Sequence, residues 1–252
     1  MENLQPNNIN NNSSNKILTG SIDIDKWLEG GYERGIITMF YGPSAVGKSN
    51  FMMQAACHQA KAKKIVFIDT EGSFSLDRIN QLTNNNSEEV LKNIALLNPT
   101  SFEEQNQAFN KIQKELNSDN IGLIIVDSIS MLYRLALADA RKEGQEAVQK
   151  VNSQLANQMK ILYEIARKQN IPVLITGQVY SEFLSEEEWI SGKVAGVNVV
   201  GGDLLKYWSK CTIELQIEKG KKRALIKKHR SIQEKDLYYE IVNEGVRKKG
   251  WI

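Results

Sequence analysis

Eight consecutive residues, Gly42-Pro43-Ser44-Ala45-Val46-Gly47-Lys48-Ser49, have the types and spacing of a phosphate-binding loop. Glycines at both ends let backbone N–H groups curl around a polyphosphate, and the start of the following helix adds a favourable dipole. In such a loop Lys48 reaches the β- and γ-phosphates and the Ser49 hydroxyl ligates Mg²⁺. The flanks supply the confirming context, since Ile36–Tyr41 reads as a strand and Asn50–Lys61 as a helix. Nucleotide binding is the first expectation.

Three further stretches carry candidate chemistry at the ends of apolar runs. Ile121–Asp127 finishes in an acid, and open α/β sheets bind ligands at the carboxyl ends of their strands. Asp127 is therefore expected to hold Mg²⁺, directly or through water, with capping of the next helix as the plainer alternative. Ile65–Asp69 runs into Thr70-Glu71-Gly72 at the same edge. Hydrolysis needs a carboxylate to orient and polarise the attacking water. Glu71 is the first candidate for it, with Asp69 the less exposed alternative. Val173–Thr176 leads to Gln178, which can report a γ-phosphate to the loop beyond it or simply cap a strand.

Elements able to position these residues are legible in the pattern. Short Val- and Ile-rich runs alternate with longer amphipathic stretches, which indicates parallel strands joined by helical crossovers. The strands are Ile36–Tyr41, Ile65–Asp69, Ile94–Leu97, Ile121–Asp127 and Val173–Thr176. Helices are expected to start near Lys48, Asp77 and Ser101, the last with capping-box spacing to Glu104. The longest covers about Gln145–Gln169, where Val148, Val151, Leu155, Met159, Leu162 and Ile165 recur at helical intervals. After Gly202 shorter runs follow, Thr212–Ile217, Ala224–Lys228 and Leu237–Val242, with Gly220 suited to a hairpin turn. The expected architecture is α/β, a mainly parallel central sheet flanked by helices with antiparallel strands at the C-terminal side.

Composition narrows the class. A chain of 252 residues with 41% hydrophobic and 25% charged side chains can bury one sizeable core and is neither disordered throughout nor a disulfide scaffold. Residues 1–17, with seven asparagines among the first fifteen, read as a disordered tail before a core at 18–252. No apolar run has the length to span a bilayer, and Cys57 and Cys211 lie far apart, so a cytoplasmic protein with two reduced thiols is expected. Net charge is +2, yet residues 219–252 hold 11 Lys+Arg against 4 Asp+Glu. That asymmetry points to a polyanionic partner.

These motifs in this order resemble the RecA-like recombinase superfamily, and within it the short, core-only archaeal paralogues of the RadA recombinases. The matching stretches are Thr19–Gly31, the phosphate loop, Phe67-Ile-Asp-Thr-Glu-Gly-Ser-Phe74, Ile125-Val-Asp-Ser-Ile-Ser-Met-Leu-Tyr-Arg134, Thr176-Gly-Gln-Val179 and Gly201-Gly202. The resemblance implies a RecA-like ATPase core with ATP and Mg²⁺ as cofactors, a water-activating role for Glu71, and γ-phosphate sensing by Gln178. It also implies mobile DNA-binding loops over about Val179–Val200 and after Arg134. Lys228-His229-Arg230 resembles a basic pair that reaches a neighbouring subunit's nucleotide in filaments of the superfamily; a solvated strand end is the alternative. The chain lacks the Phe-x-x-Ala docking motif and the N-terminal helical DNA-binding domain of strand-exchange recombinases. Self-association therefore stays open, and the implied function is an accessory, mediator-like one in homologous recombination and DNA repair, with weak ATPase activity.

Charge gives a separate route to DNA. Lys219, Lys221, Lys222, Arg223, Lys227, Lys228 and Arg230 cluster on and around the expected hairpin, where phosphate contacts would release counterions. Tyr180, Phe183 and Trp189 in the loop after Gln178 can stack on bases, although Glu182 and Glu186–Glu188 beside them repel a backbone. The hairpin is thus the expected main contact, single- or double-stranded and not sequence-specific. Expected protein partners are a full-length recombinase or other repair proteins, and no membrane. Two alternatives stand: an autonomous strand-exchange enzyme, and a nucleotide-switched interaction module that does not touch DNA.

Overall fold

A computed structural model describes residues 15–115, 120–181 and 197–250. In chain order the elements are β1 (Lys16–Ile17), α1 (Ile22–Trp27), β2 (Tyr32–Glu33), β3 (Ile37–Gly42), α2 (Lys48–Gln59), β4 (Lys64–Asp69), α3 (Leu76–Leu82), α4 (Glu88–Lys92), β5 (Ile94–Leu97) and α5 (Phe102–Glu115). There follow β6 (Ile121–Asp127), α6 (Met131–Glu143), α7 (Gln145–Gln169), β7 (Val173–Ser181), β8 (Val197–Val199), α8 (Gly202–Trp208), β9 (Ser209–Glu218), β10 (Lys221–Lys228), β11 (Asp236–Val242) and β12 (Gly245–Lys248). Among the described residues no helix is long and apolar enough to cross a membrane.

The main sheet runs β12-β11-β10-β9-β3-β7-β6-β4-β5, with β8 attached to β7. From β9 to β5 the pairs are parallel, while β9 to β12 pair antiparallel. This is the architecture the sequence pattern predicts. The central strands are apolar on both faces because helices cover both. Successive residues point to opposite sides, so Ile125 joins Phe40, Phe51 and Met52 beneath α2, whereas Ile124 joins Met39, Leu155 and Met159 beneath α7. Each such side chain contributes about 1.5–3 kcal/mol on burial. Helix α7 coincides with the stripe read from the sequence, and Lys219 and Gly220, both at positive φ, make the turn between β9 and β10.

Several features depart from the sequence reading. Lys16 and Ile17, assigned to the tail, pair with Glu33 and Tyr32, so packed structure begins before residue 18; residues 1–14 lie outside the described set. The loop expected after Arg134 is helix instead. Met131–Glu143 is rich in strong helix formers and stops at Gly144, whose φ of 119° suits glycine; α7 begins at the next residue. Strand β7 continues to Ser181 because Val179, Tyr180 and Ser181 find partners in β8. The rest of the expected DNA loop, residues 182–196 with Phe183, Trp189 and the acids at 182 and 186–188, lies outside the described residues.

Candidate functional site

The phosphate loop follows β3 and bends into α2 at Gly47, whose φ of 108° is accessible to glycine at little cost. A second constraint acts at Gly42, where a Cβ would collide with the Leu215 carbonyl oxygen. Pro43, Ser44 and Ala45 form an exposed crest, and Val46 is buried beneath it. Lys48 is buried and donates to Gly42 O (3.0 Å) and Pro43 O (2.9 Å), which holds its ammonium across the loop. Burial lowers its pKa, and the nearby Glu71 and Asp127 carboxylates partly offset that. Ser49 is the second residue of α2.

Asp69 and Asp127 are register partners at the ends of the paired strands β4 and β6. Asp127 is fully buried. Its Oδ1 accepts from Thr176 Oγ1 (2.5 Å) and its Oδ2 from Ser73 Oγ (2.7 Å). A carboxylate offers about four lone-pair sites, so both oxygens keep accepting capacity. Its oxygens and the Ser49 hydroxyl are hard donors of the kind Mg²⁺ takes alongside substrate phosphates and water. Among the described residues no group of three or more His, Cys, Asp or Glu forms a cage of its own.

Asp69 and Glu71, alternatives in the sequence, have separate tasks in the structure. Asp69 accepts the backbone N–H groups of Glu71 (3.2 Å), Ser73 (3.0 Å) and Phe74 (2.9 Å), so it is engaged in shaping the turn. Glu71 projects from that turn and accepts from Gln178 Nε2 at 3.0 Å. Although its side chain opens to solvent, partial desolvation and then the negative charge of Asp127 raise its pKa. Gln178 is fixed from behind: its N–H donates to Ser130 Oγ (3.1 Å), and its carbonyl accepts from Val200 N (2.9 Å). The structure thus brings Glu71 and Gln178 into contact and ties Gln178 to Val200, the residue that follows β8.

The match to known proteins follows this geometry. Residues 11–249 match the Rad51 family. The chain belongs to the Rad51 family. Relatives in it include the DNA repair and recombination protein RadB of Methanococcus maripaludis, 39% identical over 225 residues that cover 88% of this chain and 96% of the other. The proteins of the same description from Methanobrevibacter smithii and Methanocaldococcus jannaschii are each 38% identical, over 92% and 87% of this chain and 96% of theirs. A crystal structure of the RadB recombinase superposes with a TM-score of 0.72 at 30% identity, covering 92% of this chain and 99% of that one.

In this Rad51-family chain the C-terminal cations are placed differently from what their number suggests. Arg223 pairs with Asp236 (2.8 Å) and Glu218 (3.3 Å) and lies over the Tyr238 ring. Lys227 pairs with Glu234 at 2.7 Å. Lys228 donates to the carbonyls of Lys206 and Ser209, closing the end of α8, and Arg230 pairs with buried Glu33. Lys222 donates to the phosphate loop itself. Lys219 and Lys221 show no such pairing among the described residues. The register also separates the group: Lys221 and Lys222 sit at the phosphate-loop end of the sheet, whereas Lys228–Arg230 sit at the other end, beside the start of β3.

Sequence reasoning missed Ser73, Thr176 and Ser130 as the groups that hold Asp127 and Gln178. All three stand inside the motif stretches, yet spacing alone shows no pairing across strands. It also missed Lys222 and Tyr239, which reach the phosphate loop across more than 170 residues of chain; no local signal marks them.

Proposed function

We propose that this chain binds ATP with Mg²⁺ at Gly42–Ser49, hydrolyses it slowly, binds DNA without sequence preference, and assists a full-length recombinase or other repair proteins in homologous recombination. The observation that carries the reading is the Glu71–Gln178 hydrogen bond, made at the sheet edge where Lys48 and Asp127 also converge. A phosphate-binding loop alone would fit many ATP users; a carboxylate held by a glutamine that is bonded onward to the next segment fits an ATPase whose nucleotide state is reported elsewhere.

In this reading the loop N–H groups and Lys48 bind the polyphosphate and orient its terminal group. Asp127 and Ser49 would hold Mg²⁺, which supplies charge neutralisation to the phosphates when bound. Glu71 polarises the attacking water and accepts its proton; a raised pKa makes it a better acceptor provided it stays ionised. Gln178 exchanges its bond to Glu71 for a phosphate oxygen, and Val200 moves with its carbonyl.

One observation favours a second reading, a nucleotide-switched interaction module without direct DNA contact: most hairpin cations already have partners within the fold. Titration of labelled single-stranded DNA at two salt concentrations, with and without ATP·Mg²⁺, decides between them. Salt-sensitive binding that changes with ATP supports the recombination reading. Absence of binding in every condition favours the second.

A further inference from the structure

The phosphate loop is held by β10 and β11, strands outside the strand–loop–helix unit that forms it. Lys222 Nζ, on β10, donates to Ala45 O (2.7 Å) and Val46 O (3.3 Å). Tyr239 OH, on β11, donates to Val46 O (2.8 Å). A third restraint comes from Ile241, whose Cδ1 stands 2.5 Å from where a Cβ on Gly47 would be. The tyrosine is fixed as well: it is 1% exposed and its ring meets Phe51 of α2 edge-on at 5.2 Å.

The consequence follows from peptide geometry. In a planar trans peptide the C=O and the N–H point in opposite directions. Holding the carbonyls of Ala45 and Val46 toward β10 and β11 turns the N–H groups of Val46 and Gly47 away from those strands. Loops of this kind bind polyphosphate through such N–H groups. Ala45 adopts φ of 62°, a left-handed conformation unfavourable for a residue with a side chain, and its carbonyl is the one Lys222 holds most closely. An ammonium beside the loop also adds positive potential where the ligand carries negative charge.

We propose that Lys222 and Tyr239 are positioning residues of the nucleotide site, which pre-orient the Val46 and Gly47 N–H groups for the phosphate shared by ATP and ADP. Lys222 is thereby assigned to the nucleotide rather than to the DNA contacts its charge suggests. The inference rests on the phosphate-loop reading given above and deepens it.

The test measures ATP and ADP affinities by titration calorimetry for the wild type, Lys222→Gln, Lys222→Arg and Tyr239→Phe. Circular dichroism and thermal melts run alongside. Loss of a charged donor to two carbonyls is expected to weaken ATP and ADP by a common factor of about ten. Lys222→Arg, which still donates, restores most of that loss. Tyr239→Phe removes one oxygen and leaves the ring packing, so its loss is about threefold, again equal for both nucleotides. A purely structural role lowers the melting temperature and leaves both affinities of the folded variant unchanged, and that result overturns the proposal. So does a loss confined to ATP, which would place the lysine at the γ-phosphate. Wild-type protein that binds neither nucleotide overturns the underlying reading too, so the two failures are distinguishable.

Discussion

The two halves of the sheet answer differently to the same kind of reading. In the parallel half the residues singled out by spacing come together: Lys48 lies across its own loop, Asp127 ends β6 beside Asp69, and Glu71 meets Gln178. In the antiparallel half the residues singled out by charge disperse: Arg223, Lys227 and Arg230 pair with acids, Lys228 closes a helix, and Lys222 turns to the phosphate loop. The contrast has a physical cause. A βα turn carries its function within one short segment, so spacing specifies geometry. The field of a basic segment depends on which acids the fold sets beside it, and those come from elsewhere in the chain.

The sharpest way to break that contrast is Lys48→Ala. The parallel half predicts loss of ATP binding by a factor of about 100 or more, since this ammonium is the cation that the loop itself supplies to the phosphates. The fold should survive, because the two carbonyls that Lys48 bonds, Gly42 O and Pro43 O, belong to its own loop rather than to another element. Calorimetric titration beside a thermal melt checks both, and unchanged ATP affinity would remove the site assignment.

Glu71→Gln comes next. Replacing the base while keeping its shape should lower hydrolysis by about 10²–10⁴ with ATP affinity retained. In the unaltered protein Glu71 must be ionised to act, and burial followed by Asp127 raises its pKa. The rate should therefore fall on acidification through a pH above the ordinary glutamate range of about 4.3. A pH–rate profile with its acid limb at or below that range would show that another group is the base.

Arg230→Ala probes the antiparallel half through stability. It takes the guanidinium from Glu33, only 6% exposed, and leaves it Asn15 Nδ2 (3.3 Å) and the His229 ring (3.8 Å). Removing one partner of a buried pair costs about 3 kcal/mol, and less here because Arg230 itself is half exposed. For a chain of this size that lowers the melting temperature by several degrees. An unaltered melt together with a loss of DNA binding would return Arg230 to the DNA surface.

The same contrast explains which parts of the fold were legible. Strands β4 and β6 and helix α7 each bury several residues of one repeating pattern, so periodicity finds them. Elements β1, β2 and α1 are two to six residues long, too short for a period, and Tyr32, Ile24 and Trp27 become core only when the N-terminal segment folds against α2 and β12. Gln54 shows how: its amide donates to Gly20 O (3.0 Å) and accepts from Val246 N (2.9 Å), joining three segments that the sequence keeps far apart. Helix α6 was hidden by the superfamily expectation of a loop after Arg134, although its own composition is helical. In the site, Glu71 and Asp69 could not be ranked until the turn showed Asp69 held by three backbone donors.

The smallest effect is also the most direct test of where DNA would sit. If surface field rather than residue count governs the binding, Lys219 and Lys221 carry what the hairpin retains, because Arg223 and Lys227 are already neutralised within it. Lys219→Gln with Lys221→Gln should weaken DNA binding several-fold and reduce the salt slope by about two, one for each DNA phosphate that a lysine no longer neutralises. Arg223→Gln or Lys227→Gln removes a charge whose partner acid then stands uncompensated, so each repels the backbone by about as much as an exposed ion pair is worth, a few tenths of a kcal/mol. Binding isotherms at several salt concentrations separate these outcomes. An equal fall in slope for both sets would mean that the ion pairs open when DNA binds, and the charge count read from the sequence would then describe the DNA surface better than the pairing in the fold does.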